Sequence, residues 1–246
     1  MNDHELAIDL ARRAGELLMS IRAGFTGEAG DAALGDLGDR AANDLLLAGL
    51  AEARPDDAVL SEESADDPAR LTAARVWIID PLDGTREFRE GRDDWAVHVA
   101  LCVDGRPVAG AVALPALGEV HGTQPASTLA PPSGRAPRLT VSRTRDVPIT
   151  APLCEALGAD LVPMGSAGAK AMAVLRGEAD VYAHEGGQYQ WDNCAPVAVA
   201  QAAGLHTSRL DGGPLVYNGA ERSLPDLLIC RPELAASVLD VVRSRA

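Results

Sequence analysis

The chain has 246 residues, of which 47% are hydrophobic and only 3% aromatic, so aliphatic side chains must fill a large core. Its formal net charge is −14, because 36 aspartates and glutamates outnumber 22 lysines and arginines. Such an excess of negative charge makes binding by bulk charge to nucleic acid or to an anionic membrane unfavourable.

The cysteine pattern and the hydropathy narrow the class of protein further. The four cysteines are widely scattered and show neither a zinc-site spacing nor a disulfide framework. No apolar run approaches the ~20 residues that span a bilayer, and the polar N-terminus lacks the apolar core of a signal peptide. We therefore expect a reduced, cytoplasmic protein.

Two helices are predicted at the start of the chain. Asn2 and Glu5 form a capping-box pattern ahead of leucines at helical spacing. The glycine-rich stretch 24–38 is expected to separate this helix from a second one, which Asp39 would head.

Strands follow in the first half. Short buried strands are predicted at 59–60 and 76–79, and a meander at 95–103, 108–114 and 119–123. Asp104-Gly105 is the strongest hairpin signal in the chain.

The loop-like stretch 125–137 is the predicted link between an α+β half, 1–124, and an α/β half, 138–246. In the second half, strands are predicted at 139–142, 179–182 and 227–230. Helices are predicted at 170–176, 195–203 and 232–245, with Pro196 near the start of the second. Alternation in both halves indicates layered α/β or α+β packing.

Residues 77–85, Trp-Ile-Ile-Asp-Pro-Leu-Asp-Gly-Thr, carry the clearest chemical signal. The apolar run should deliver Asp80 and Asp83 into a turn at the carboxyl end of a buried strand. Paired carboxylates suit hard cations such as Mg²⁺, which share their oxygen ligands with substrate phosphates. Gly84 and Thr85 then open a helix-like stretch, where free N–H groups bind phosphate. A cation pocket beside an anion pocket indicates phosphoryl chemistry.

Counting excludes two competing motifs. A phosphatase of the haloacid dehalogenase type would need a nucleophilic aspartate at position 81, where Pro81 stands. An EF-hand loop needs alternating ligands and a closing glutamate at its twelfth position. A plain strand-to-helix turn explains Asp-Gly-Thr alone, but it explains the complete segment less well.

Besides Asp80 and Asp83, three carboxylate residues stand in a characteristic order along the sequence. Asp39 precedes Glu62, which lies in a Glu-Glu-Ser segment, and Asp192 follows Trp191 just before Ala-Pro. Singly, these residues also fit helix N-caps or a solvated acidic loop. Together with Asp-Pro-Leu-Asp-Gly-Thr, this order resembles the inositol monophosphatase family of Mg²⁺-dependent, lithium-sensitive phosphatases. The resemblance runs from about residue 5 to residue 230.

This resemblance implies a layered α-β-α-β-α sandwich with at least two Mg²⁺ ions. Glu62, Asp80 and the carbonyl of Leu82 would hold the first ion. Asp80, Asp83 and Asp192 would hold the second, and a third, weaker ion near Glu62 stays open.

The resemblance also implies roles in catalysis and binding. Thr85 and Asp39 would orient or deprotonate the attacking water, and the N–H groups of Gly84 and Thr85 would hold the phosphate. Asp36 stands where the family usually has threonine, and the family's preceding lysine is missing. The dimers common in the family make a homodimer an open option.

Substrate choice is expected to lie in the second half. Ser166 and Lys170, the only lysine, resemble a bisphosphate-nucleotidase pattern in which the lysine meets a second phosphate. Tyr182 also fits that pattern, but His184 stands where nucleotidases tend to have arginine. Glu185 lies where inositol monophosphatases place a glutamate that accepts substrate hydroxyls, and it could equally hold a ribose. Arg143 could add a basic contact.

The expected partner is therefore a small phosphorylated metabolite. The favoured reaction is hydrolysis of 3′-phosphoadenosine 5′-phosphate to AMP, as in sulfate assimilation. Inositol 1-phosphate is the alternative substrate, and fructose 1,6-bisphosphate comes third. A catalytically silent metal-binding relative is the alternative from another class.

Overall fold

The computed structural model describes residues 1–132 and 134–245 of the chain. Ser133, in the predicted linking loop, and Ala246, the last residue of the predicted second half, lie outside the described residues. The α-helices are α1 Asp3–Gly24, α2 Ala32–Ala53, α3 Thr85–Arg89, α4 Thr150–Leu157, α5 Ala167–Leu175, α6 Gln190–Ala202 and α7 Ala235–Arg243. Short 3-10 helices cover Pro68–Thr72, Pro115–Leu117 and Pro232–Leu234.

Ten strands form two five-stranded sheets within the described residues. The strands are β1 Ala58–Ser61, β2 Arg75–Asp83, β3 Ala96–Val103, β4 Arg106–Leu114, β5 Glu119–Gly122, β6 Arg138–Ser142, β7 Asp160–Met164, β8 Val181–Tyr189, β9 His206–Ser208 and β10 Ser223–Cys230. The first sheet has the order β1-β2-β3-β4-β5 and the second β7-β6-β8-β10-β9.

The first sheet combines a parallel pair with an antiparallel meander. β1 runs parallel to β2, with Ser61 opposite Ile79, while β2 to β5 are antiparallel. The predicted meander is confirmed. Asp104 and Gly105 join β3 to β4 with φ angles of 48° and 78°, as a tight hairpin requires.

Three hydrophobic clusters fill the spaces between five layers. One joins α1 and α2 to one face of the first sheet. A second buries α5 and α6 between the two sheets. A third packs α4 and α7 against the outer face of the second sheet. The predicted α-β-α-β-α sandwich is thereby confirmed.

The start of α2 differs from the prediction. Asp31 caps the helix, because its carboxylate accepts a hydrogen bond from the Ala33 N–H at 2.9 Å. Asp39 therefore lies two turns inside α2 and does not head it. The glycines that suggested a loop serve close packing instead: a Cβ at Gly35 would come within 2.7 Å of the Thr85 side chain.

Two further boundaries were also predicted wrongly. α6 begins at Gln190, so Pro196 lies inside the helix and not near its start. β2 continues to Asp83, with a register shift between Asp80 and Asp83 where a turn was predicted. The Asn2 and Glu5 capping box of α1 is confirmed by two reciprocal bonds of 2.9 Å.

Several short elements of the second half were not predicted, namely α4, β7 and β9. None of the helices in the described part of the chain is both long and apolar enough to cross a membrane.

Candidate active site

Three aspartates from distant parts of the sequence converge beside the end of β2. Asp80, Asp83 and Asp192 each offer one carboxylate oxygen, and these oxygens all lie within 4.8 Å of one another. Asp80 and Asp83 are buried on β2, whereas Asp192 is half-buried in the first turn of α6. The sequence alone places two of these residues together, and the fold adds the third.

Glu62 lies next to this cluster. Its N–H donates to the Ile79 carbonyl, because parallel pairing of β1 with β2 carries the chain past Asp80. Desolvation and the repulsion of Asp192 raise the pKa of Glu62 to about 7.

The electrostatics of Asp80 and Asp192 are those of a crowded anionic site. Burial and the charge of Glu62 raise the pKa of Asp80 well above its ordinary value. Burial and the charge of Asp83 raise the pKa of Asp192 to about 6. Each group would ionise more easily with a cation between them.

Asp83 behaves differently because donors surround it. Its Oδ2 accepts hydrogen bonds from the Ser166 hydroxyl at 2.5 Å and from the Gly168 N–H at 2.7 Å. His98 Nε2 lies 3.3 Å from the same oxygen. Although burial opposes it, the His98 charge and these hydrogen bonds lower the pKa of Asp83 to about 2. His98 and the first turn of α5 together therefore keep Asp83 ionised.

The predicted pair of Thr85 and Asp39 comes together at the end of β2. The Thr85 hydroxyl lies 3.4 Å from Asp39 Oδ1 and 3.2 Å from the Leu82 carbonyl oxygen. Burial and the charge of Glu63 raise the pKa of Asp39 to about 7. Gly84 precedes Thr85 with a φ of 91°, a conformation that glycine adopts without strain.

A cavity of about 330 Å³ opens beside these groups. Among its lining residues are Asp83, Thr85 and Asp192, which we call its carboxylate end, and Tyr182, Lys170, His184 and Arg145, which we call its basic end. One cavity thus joins an acidic cluster to a set of basic side chains.

Lys170 is buried and does not behave as a solvated helix residue. It is only 4% exposed, its ammonium donates to the Gly165 carbonyl, and its Nζ lies 5.4 Å from the centre of the Tyr182 ring. Burial lowers the pKa of Lys170 to about 8, against the attraction of Asp83 and Glu87. The Tyr182 hydroxyl is held by Gln188 at 2.6 Å.

Not every residue predicted to bind substrate is free to do so. The Ser166 side chain lines the cavity, but its hydroxyl is donated to Asp83. Arg143 forms ion pairs with Glu87 and Glu90, at 2.7 and 2.5 Å. Both side chains support the wall of the cavity.

Glu185 is not among the residues that line the cavity. Alternation along β8 turns Tyr182 and His184 to the cavity and Glu185 to the other face. There its Oε1 accepts a hydrogen bond from Arg245 at 2.9 Å.

Sequence reasoning missed two residues of the site. His98 faces Asp80 from the neighbouring strand, and its Nδ1 lies 3.0 Å from the Trp191 carbonyl oxygen. Arg145 reaches the cavity from the loop after β6. A histidine within an apolar strand was the only sequence signal for His98, whereas Arg145 gave none.

The donor set suits a hard divalent cation. All the candidate donors are oxygens, and carboxylate oxygens are the ligands that Mg²⁺ prefers. The raised pKa values of Glu62, Asp80 and Asp192 are the mark of anions held together without a counter-charge. The residues present therefore fit the metal that the sequence implied.

Known proteins match both the sequence and the fold. The model of the inositol monophosphatase family matches residues 2–238. The 3′-phosphoadenosine 5′-phosphate phosphatase of Mycobacterium leprae is 50% identical over 99% of this chain and 94% of its own length. The 3′(2′),5′-bisphosphate nucleotidase CysQ of Escherichia coli K12 is 30% identical over 87% and 94%. The crystal structure of CysQ from Bacteroides thetaiotaomicron superposes with a TM-score of 0.81 at 28% identity, covering 93% of this chain and 96% of that one.

Proposed function

The chain belongs to the inositol monophosphatase family, and from that premise we propose that it hydrolyses 3′-phosphoadenosine 5′-phosphate to AMP and phosphate. One observation carries the proposal: a single cavity is lined both by Asp83 and Asp192 of the acidic cluster and by buried Lys170. A bisphosphate needs both ends, since one phosphate reacts while the other is only bound. The name of the relative at 50% identity gives the same substrate, and the name of the relative at 30% identity gives the wider class of 3′(2′),5′-bisphosphate nucleotides.

We assign the acidic cluster to two Mg²⁺ ions. Asp80, with Glu62 and the Leu82 carbonyl, would hold one, and Asp80, Asp83 and Asp192 would hold the other; a third ion near Glu62 stays a prediction. When bound, two such cations lower the pKa of the attacking water and stabilise the leaving oxygen. The carboxylates are needed because hydrolysis of phosphate monoesters is among the slowest uncatalysed reactions.

Thr85 and Asp39 would orient the attacking water. The Thr85 hydroxyl lies within hydrogen-bond distance of the Asp39 carboxylate and of the Leu82 carbonyl oxygen. A hydroxyl donor and a carboxylate acceptor therefore lie side by side at the carboxylate end. With a pKa of about 7, Asp39 can accept a proton near neutral pH. The N–H groups of Gly84 and Thr85 would meet the reacting phosphate.

The 5′-phosphate would lie against Lys170. Desolvating an ammonium is unfavourable, so its burial at the basic end is best explained by a ligand that uses the charge. Glu185 gives the inositol alternative no support, because its carboxylate lies off the cavity and pairs with Arg245. We place this reaction in sulfate assimilation.

A substrate panel tests the proposal. With Mg²⁺ present, kcat/KM for 3′-phosphoadenosine 5′-phosphate should exceed that for inositol 1-phosphate and for fructose 1,6-bisphosphate. A chelator should abolish turnover, and lithium should inhibit it. A preference for inositol 1-phosphate would contradict the assigned substrate, and turnover that survives the chelator would contradict the assigned metal sites.

A further inference from the structure

Arg145 reaches the basic end of the cavity from the loop between β6 and α4. Its backbone N–H donates to the Ser142 hydroxyl at 3.2 Å, and its guanidinium donates to the Gly187 carbonyl at 3.1 Å. The first bond is local to the end of β6, and the second ties the loop to β8. The guanidinium is thereby held over the cavity although the residue is exposed.

The charge of Arg145 is not neutralised. Its neighbour Arg143 pairs with Glu87 and Glu90, and Arg92 pairs with Asp94 at 2.7 Å. Arg145, by contrast, has no carboxylate within 4.0 Å anywhere in the described ranges. Within the described residues, the guanidinium of Arg145 therefore lies beside the cavity without being held in an ion pair.

His184 gives an independent sign that the basic end takes a polar ligand. The residue is only 6% exposed, and its Nε2 finds no hydrogen-bond partner among the residues that the structure describes. Buried polar atoms without partners are rare, since each one costs free energy. His184 lines the same cavity as Lys170 and Arg145.

We propose that Arg145 is a specificity-determining residue, which holds the remote phosphate of a bisphosphorylated nucleotide together with Lys170. This inference rests on the proposed function. Lys170 provides a buried point charge from α5, and Arg145 provides a planar set of donors that can bind two phosphate oxygens. The two cations come from different elements, so they fix the position of that phosphate relative to the carboxylate end.

Arg86 provides a matched control. It also lines the cavity and has no carboxylate partner within the described chain, but it follows Thr85 on α3 at the carboxylate end. Replacing either arginine by glutamine removes one positive charge from the same cavity. Only the replacement at the basic end should act on the remote phosphate.

The experiment compares 3′-phosphoadenosine 5′-phosphate with adenosine 3′-phosphate, which has the same reacting group but no 5′-phosphate. Arg145→Gln should lower kcat/KM for the bisphosphate about tenfold, mainly through KM, because one charge-assisted contact to a partly solvated phosphate is lost. The value for adenosine 3′-phosphate should stay unchanged. Arg86→Gln should change both values by the same factor.

A binding measurement completes the test. AMP should inhibit the Arg145→Gln variant less well than the wild type, whereas inhibition by inorganic phosphate should not change. The double variant Arg145→Gln/Lys170→Ala should lose less binding free energy for AMP than the sum of the losses in the two single variants. This follows because both cations bind one phosphate.

Two outcomes separate this inference from the proposed function. If the wild type prefers the bisphosphate but Arg145→Gln keeps that preference, the role of Arg145 is wrong and the function stands. If the wild type hydrolyses adenosine 3′-phosphate as efficiently as the bisphosphate, the assigned substrate is wrong, and the inference falls with it.

Discussion

Lys170 carries a positive charge that the fold makes easy to lose. Burial lowers the pKa of Lys170 to about 8, so this ammonium deprotonates well below the range of an ordinary lysine. In its proposed role Lys170 must be charged to bind phosphate, and this charge is poised at the alkaline edge of the physiological range.

This pKa predicts how substrate preference changes with pH. As the pH rises through about 8, Lys170 loses its proton, and kcat/KM for 3′-phosphoadenosine 5′-phosphate should fall relative to that for adenosine 3′-phosphate. Lys170→Met should show a low ratio at every pH, because a charge-assisted hydrogen bond contributes about 1.5–3 kcal/mol, or about 10- to 150-fold.

The pH profile of the ratio is the measurement. The monophosphate is the internal control, since any titration at the carboxylate end affects both substrates alike. A ratio that stays constant from pH 6 to 10 in the wild type would contradict the assignment of Lys170 to the remote phosphate.

The first turn of α5 gives Asp83 two of the hydrogen bonds that, with the charge of His98, keep this carboxylate ionised. Ser166 caps the helix and also donates to Asp83, while the Gly168 N–H donates to the same oxygen. Gly168 is tightly enclosed: a Cβ there would lie 2.1 Å from His98 Nε2 and 3.0 Å from the Ala96 Cβ. The helix can reach Asp83 only because this position has no side chain.

Gly168→Ala should therefore damage both stability and activity. The added methyl group meets a fully buried histidine, and overpacking of this kind costs about 1–3 kcal/mol. The shift of α5 should also lower kcat, because Asp83 would lose its donors. Thermal unfolding and steady-state kinetics measure the two effects.

Gly24→Ala is the matched control, since a Cβ at Gly24 meets nothing within 4 Å. That variant should unfold within a few degrees of the wild type and keep its kcat. Unchanged kcat in Gly168→Ala would show that α5 does not position Asp83.

The sequence predicts elements well where the signal is local. The β3–β4 hairpin follows from Asp104-Gly105, because only a few residues tolerate two successive positive φ angles. The start of α2 could not be predicted, since Gly35 and Gly38 look like loop residues. Their use in close packing against Thr85 and Leu82 is a tertiary property.

The same limit applies to the candidate site. Asp80 and Asp83 were found because strand, turn and carboxylates are contiguous in sequence. His98 was missed because it becomes relevant only through the register that sets it opposite Asp80. Arg145 was missed because the pairing of its loop with Gly187 joins segments about 40 residues apart.

At the scale of the whole molecule, the layers bring together groups that neither sheet holds alone. Asp80 and Asp83 lie on the first sheet, Tyr182 and His184 on the second, and Lys170 and Asp192 on the helices between them. The cavity is complete only when both sheets pack on α5 and α6. A change in the charge of the site should therefore change the free energy of unfolding of the whole fold.

The sign of that effect follows from the pKa shifts. Folding raises the pKa of Asp80, that of Glu62 to about 7 and that of Asp192 to about 6. A carboxyl of this kind binds its proton more tightly when folded, so stability is lost as the pH rises from about 4 through about 7. With a chelator present, the midpoint of thermal unfolding should be lower at pH 8 than at pH 5. Mg²⁺ should raise this midpoint more at pH 8, because in the proposed sites it would bind the folded, ionised cluster.

Two aspartate variants test this account with opposite signs. Asp80→Asn removes a carboxylate that burial and Glu62 disfavour, so the chelated protein should unfold at a higher temperature at pH 8 while losing its activity. Asp83→Asn removes a carboxylate that folding favours, since the pKa of Asp83 falls to about 2 and its stabilising contribution is present above pH 4. That variant should lose about 2 kcal/mol of stability as well as its activity.

Thermal unfolding at pH 5 and pH 8, with chelator and with Mg²⁺, measures the stability of both variants. If both variants shifted the midpoint in the same direction, repulsion at Asp80 would not be what limits the stability of the metal-free fold.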